Sequence, residues 1–224
     1  MVRAAAGELL GSAGLAAVVV GSGIAAQRLS PGDTGLQLFE NAVATALGLT
    51  VLILVFASVS GAHFNPVVTL SDIVLHRRAW STAAVYLPAQ VLGCIAGAVL
   101  ADLMFAVPAV SWSTTDRSGV PLLLSEVVAT AGLIVVIFAL VRTDRSSLAA
   151  PAVGAYIGAA YFFTSSTSFA NPAITVGRMF TDTFAGIAPA SVLPFIGAQL
   201  VGAALGAAVI VLLYPITRAV AEAS

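Results

Sequence analysis

Two Asn-Pro steps divide this chain into matching halves, and they limit its fold more than any other feature. The first lies in Gly61-Ala62-His63-Phe64-Asn65-Pro66-Val67-Val68-Thr69-Leu70, the second in Thr167-Ser168-Phe169-Ala170-Asn171-Pro172-Ala173-Ile174-Thr175-Val176. Asn before Pro is a strong helix start: the Asn side chain accepts from orphan amides, and Pro fits the first helical position. Both starts sit in a chain that is 59% hydrophobic and only 8% charged, where a soluble domain carries about a quarter charged residues. Each is followed by too few apolar residues to cross a bilayer, which takes about 20. Two broken half-helices with paired N-termini are the pattern of a solute site near the midplane of a membrane.

Six longer apolar runs, at about 4–26, 39–60, 80–105, 122–141, 148–163 and 192–214, are predicted to span the bilayer. Glu8 inside the first run, and the spans that follow, argue against reading the N-terminus as a cleaved signal. All nine basic residues are Arg. Arg3, Arg77, Arg78, Arg142, Arg145 and Arg218 fall on the side of the N-terminus, and Arg28, Arg117 and Arg178 on the other. This imbalance places both termini in the cytoplasm. A net charge of -1 gives no nucleic-acid footprint. The lone Cys94 excludes an intrachain disulfide and reads as a small packing residue.

The halves repeat one another. Glu8-Leu-Leu-Gly-Ser-Ala-Gly-Leu15 parallels Glu126-Val-Val-Ala-Thr-Ala-Gly-Leu133, and the ten residues from Ala89-Gln90 match those from Ala198-Gln199 at five positions. Three spans and one half-helix per repeat invert the second copy, so the half-helices approach from opposite faces with their positive ends meeting. Gly7/Gly11, Gly93/Gly97, Gly154/Gly158 and Gly202/Gly206 are GxxxG pairs that let helix backbones approach closely. Trp80, Tyr86, Trp112 and Tyr214 lie near span ends, where an aromatic belt would fall. The chain is thus one domain over residues 1–224, all-α and membrane-embedded, with repeats at about 1–106 and 120–218.

Irregular backbone at membrane depth survives only where protein buries it or water lines it. Residues 60–64 and 164–170 are such segments, and their carbonyls can form a ladder of acceptors. Asn65 and Asn171 can each donate to a passing oxygen while capping a helix. Glu8 and Glu126 sit inside apolar spans, where an acid must find partners. Proton relay is one reading. Bracing the amides of a re-entrant loop is favoured, because each half has one acid and one loop. His63 reads as a lumen-facing donor. No second ligand lies at metal-binding spacing, since His76 falls in a loop, and no cofactor is called for.

These residues resemble the major intrinsic protein family, the aquaporins and aquaglyceroporins, over essentially the whole chain. The resemblance rests on the two boxes (Asn65, Pro66, Val67 and Asn171, Pro172, Ala173), on Glu8 and Glu126, on the two Ala-Gln pairs and on His63. It implies a six-helix barrel with two re-entrant half-helices, a pore in each protomer and a homotetramer in a bacterial plasma membrane. Counted gaplessly, the family's four constriction positions fall at Thr45, Ala159, Ser168 and Ile174. The last is ordinarily Arg, so the ring is expected to be wide and uncharged. Arg178, one turn beyond Ile174, is either a displaced filter cation or, as favoured, a charge at the mouth paired with Asp182. Val67, Ile174 and the run from Gly177 to Gly186 resemble a bacterial branch linked to arsenic-resistance operons.

The expected function is a passive channel, not an enzyme, for small neutral solutes: arsenite or methylated arsenicals and polyols, with some water. A general glycerol and water facilitator is the first alternative. A proton-coupled secondary transporter is the second, because such proteins also use inverted repeats and broken helices.

Overall fold

A computed structural model of the chain describes residues 1–215. Arg218 and the last residues assigned to the second repeat lie outside the described part. The helices are α1 (Val2–Leu29), α2 (Thr34–Ser60), α3 (Pro66–His76), α4 (Ser81–Met104), α5 (Val120–Arg142), α6 (Ala149–Phe163), α7 (Pro172–Gly177) and α8 (Pro189–Leu213). A 3-10 turn, Ser146–Leu148, leads into α6, and another, Arg178–Phe180, continues α7. Six helical stretches are long and apolar enough to cross a membrane, the fifth running from Ser146 to Phe163. Several helices outrun the apolar segments that predict them. α2, for example, begins five residues before its apolar run, because Asp33 caps it by accepting from Leu36 N at 2.9 Å.

Helix packing follows the repeat. α1 lies along α4 and α5 along α8, while α2 packs on both α1 and α6. Glycine makes the first two contacts possible. A Cβ on Gly97 would stand 2.1 Å from Ala13 O, and one on Gly206 would stand 2.6 Å from Ala131 O, so any side chain there would force the helices apart. α3 packs against α4 of its own half and α8 of the other, and α7 likewise against α8 and α4. Each half-helix is thereby wedged between the repeats. Tyr86 does not belong to an aromatic belt: it is buried, donates to Ser60 O at 2.8 Å and meets the His63 ring edge-on. Trp80 and Trp112 are exposed.

Candidate functional site

The site begins with the two helix starts. Asn65 Oδ1 accepts from Val67 N at 3.0 Å, and Asn171 Oδ1 accepts from Ala173 N at 2.9 Å and Ile174 N at 3.3 Å. The amide nitrogens cross between the halves. Asn65 Nδ2 donates to Ala170 O and Asn171 Nδ2 to Phe64 O, each at 2.8 Å. Each Asn is thus fixed by three roles: it caps its own helix, holds the opposite loop and keeps one amide hydrogen free. Both line one cavity, in which the centre of a water molecule can range over about 110 Å³.

The loops before the Asn residues are strained in the same way. Ala62 and Phe64 in one, and Ser168 and Ala170 in the other, have φ of 52°, 50°, 52° and 47°. Left-handed backbone at a non-glycine residue costs about 1 kcal/mol or more, so it persists only where its surroundings over-determine it. Glu8 and Glu126 supply much of that constraint. Glu8 Oε1 accepts from Ser60 Oγ at 2.6 Å and His63 N at 3.0 Å, while Oε2 accepts from Phe64 N and Gln90 Nε2, both at 2.7 Å. Glu126 repeats the set with Ser166 Oγ, Phe169 N, Ala170 N and Gln199 Nε2 at 2.6 to 2.9 Å. Both carboxylates are fully buried. The two Gln residues also donate to Thr69 and Thr175, each at 2.9 Å, tying α4 and α8 to the half-helices. The Ala-Gln pairs mark these residues in the sequence, but spacing alone did not disclose their partner.

The cavity wall combines apolar helix side chains with the polar re-entrant loops. Leu15, Val19, Leu49, Ile53, Leu133, Ile137, Val153 and Ile157 line it together with residues 61–65 and 168–171. We call its two ends the α3 mouth and the α7 mouth, after the half-helix that enters from each. His63 lies on the lumen, with Nδ1 3.1 Å from Thr69 Oγ1. His76 is not in a loop but ends α3, with Nδ1 2.7 Å from Asp72 Oδ1.

Of the four expected constriction residues, Thr45, Ser168 and Ile174 line the cavity and Ala159 does not. Ala159 is exposed on another face of α6. The lumen face of that helix is Ala149, Val153, Ile157 and Tyr161, four residues apart throughout, so the helix phase excludes residue 159. Gapless counting carried a spacing across the turn after α6, which the helix does not respect. Tyr161 stands in its place, its hydroxyl 3.1 Å from Thr45 Oγ1. Ser168 Oγ is buried and has no hydrogen-bond partner among the described residues.

Arg178 also departs from the expectation. It makes no ion pair with Asp182, whose carboxylate accepts from Thr114 N at 2.8 Å and Thr114 Oγ1 at 3.0 Å. Arg178 is instead buried against the cavity, with Nε donating to Ala185 O and Cζ 3.4 Å above the Phe169 ring. A second guanidinium, that of Arg117, lies 5.0 Å over the same ring, held by Gly186 O at 2.9 Å. Desolvation by burial lowers the pKa of Arg117, which lies in the connection between α4 and α5. The α7 half of the lumen is therefore neither uncharged nor free of large rings, because Arg178 and Tyr161 both enter it.

This is the architecture of a membrane channel, and comparison with known proteins agrees. The profile described as "Major intrinsic protein" matches residues 1–170. The chain belongs to that family of membrane channels. It is 45% identical over 203 residues to aquaglyceroporin AqpS of Rhizobium meliloti (strain 1021), covering 91% of this chain and 86% of that one. It is 33% identical to probable aquaporin NIP4-2 of Arabidopsis thaliana over 67% of this chain and 56% of the relative. The X-ray structure of the aquaglyceroporin from Plasmodium falciparum shares the fold, with a TM-score of 0.71 over 96% of both chains at 23% identity.

Proposed function

We propose that the protein is a passive, bidirectional channel for small neutral hydroxylated solutes, with undissociated arsenic hydroxides, methylated arsenicals and polyols favoured and some water leak. The observation that carries this reading is the pair of cross-linked Asn caps, each with a free amide hydrogen on one cavity. A solute with several hydroxyls can exchange water for these donors and the neighbouring carbonyls while its carbon or methyl face slides along the leucine and isoleucine wall. Thr45, Tyr161, Ser168, Ile174 and Arg178 form the selecting ring on this reading, and the buried, unpartnered Ser168 hydroxyl is a ready solute contact. The name of the 45% identical relative, an aquaglyceroporin, supports polyols. The resemblance of the run after the second box to the arsenic-linked branch supports the arsenicals.

The arginine imbalance supports both termini in the cytoplasm of a bacterial plasma membrane, so the α3 mouth opens inward. The exposed leucines and valines of α2, α4 and α5 fit lipid and the other subunits of a homotetramer. Stopped-flow swelling of proteoliposomes with glycerol, arsenite, a methylated arsenical and water tests the reading. Solute flux well above that of empty liposomes is expected. Water flux without any solute flux overturns it.

A further inference from the structure

The repeat places one more pair of residues in equivalent positions, and their chemistry is opposite. Two residues before each Asn stand His63 and Phe169; seven after each stand Asp72 and Arg178. In the α7 half the charge stacks on the ring. In the α3 half the Asp72 carboxylate lies 3.8 Å from His63 Nε2, too far for a hydrogen bond but close enough to decide where the imidazole carries its proton. We propose that Asp72 is a positioning residue for His63, holding it in the Nε2–H tautomer so that the α3 half of the lumen presents a donor to the solute.

The hydrogen-bond network around Thr69 leads to the same tautomer. Gln90 Nε2 gives its hydrogens to Glu8 and to Thr69 Oγ1. Thr69 then has one hydrogen for two neighbours, Asn65 O at 3.2 Å and His63 Nδ1 at 3.1 Å. The other repeat shows what happens without an imidazole: Thr175 Oγ1 donates to Asn171 O at 2.8 Å. The longer link to Asn65 O fits a Thr69 hydrogen directed at Nδ1, which leaves the proton on Nε2. A lone pair on Nε2, 3.8 Å from the Asp72 carboxylate, would be repelled by it, whereas an N–H there is attracted. Glu8 meets His63 only through its backbone N–H. Asp72 itself is buried, with His76 Nδ1 at 2.7 Å and Arg78 Nε at 2.6 Å. The Arg78 side chain is 60% exposed, so water weakens the hold of that cation on a carboxylate facing a buried ring.

The chain has two histidines, so His76→Gln leaves His63 as the only imidazole signal. In that protein, reconstituted in lipid and labelled with nitrogen-15, solid-state NMR should show mainly Nε2–H. Adding Asp72→Asn should shift His63 to mainly Nδ1–H and lower the glycerol-to-water flux ratio by about fivefold, the worth of one solute hydrogen bond. Asp72→Glu should restore both. A merely structural Asp72, clamping the turn after α3, would leave the tautomer unmoved, and that result overturns the proposal. Should Asp72→Asn not fold, the His76→Gln protein alone decides: mainly Nδ1–H there overturns it as well. The tautomer is read without any transport, so its failure is distinct from failure of the channel reading.

Discussion

Single residues in this protein do several jobs, and the cost of replacing them follows from counting what each leaves unpaired. Glu126 accepts from four donors at once. Glu126→Leu strands all four, at about 1–3 kcal/mol each. Folded yield, measured by size-exclusion chromatography in detergent, should fall sharply. Glu126→Gln keeps one acceptor oxygen and should retain part of the yield. Arg178 invites a transport test. Its guanidinium places a fixed positive charge beside the lumen, which repels cations. Arg178→Leu should admit a sodium current across planar bilayers where the wild type gives none, while Ala185 O loses its donor and thermal stability falls modestly. An unchanged, cation-tight channel would move the barrier back to the half-helix dipoles alone.

At the scale of elements, close helix contacts carry the packing. Gly97→Val drives a side chain into the backbone of α1, where a Cβ already stands 2.1 Å from Ala13 O. The expected loss is about 3 kcal/mol, read as a drop in thermal midpoint. Gly197 has open space around its Cβ position, so Gly197→Ala should be nearly neutral in the same assay. The elements themselves were legible in the sequence, because span length, the Asn-Pro starts and the repeat all depend on local patterns. Thr45, Ser168 and Ile174 lie on the cavity at short, fixed distances from a box or in the same helical phase. Ala159 lies off the cavity because the turn between α6 and the second box has a length that only the structure gives. Sequence spacing does not reveal the partner of Arg178, which is a ring nine residues earlier, brought under it by the re-entrant loop, and not the carboxylate four residues later. Tyr86 points inward although it lies near a span end, because proximity to a span end does not set which way a side chain points. Asp72 carried a signal in its placement opposite Arg178 in the repeat, visible once the boxes are overlaid.

The whole molecule distinguishes a channel from a transporter. Alternating access by inverted repeats needs one half to rock against the other about a fixed site. Here the halves are bonded through the site itself: Asn65 holds Ala170 O, Asn171 holds Phe64 O, and α3 and α7 are each packed between helices of both repeats. Rocking would break both buried amide bonds, at about 1–3 kcal/mol for each group left unpaired, and unseat the α3–α8 and α4–α7 contacts together. The cavity exists with these bonds in place, so on the channel reading solute passes while the halves stay joined. Glycerol flux in proteoliposomes should therefore grow in proportion to its gradient, run equally in both directions for oriented protein, and ignore an imposed pH difference or a membrane potential. Its activation energy should be that of diffusion through a fixed pathway, lower than that of a conformational cycle. Uphill glycerol movement driven by a proton gradient would mean that the Asn cross-links open in each cycle, and the rigid pathway would have to be abandoned.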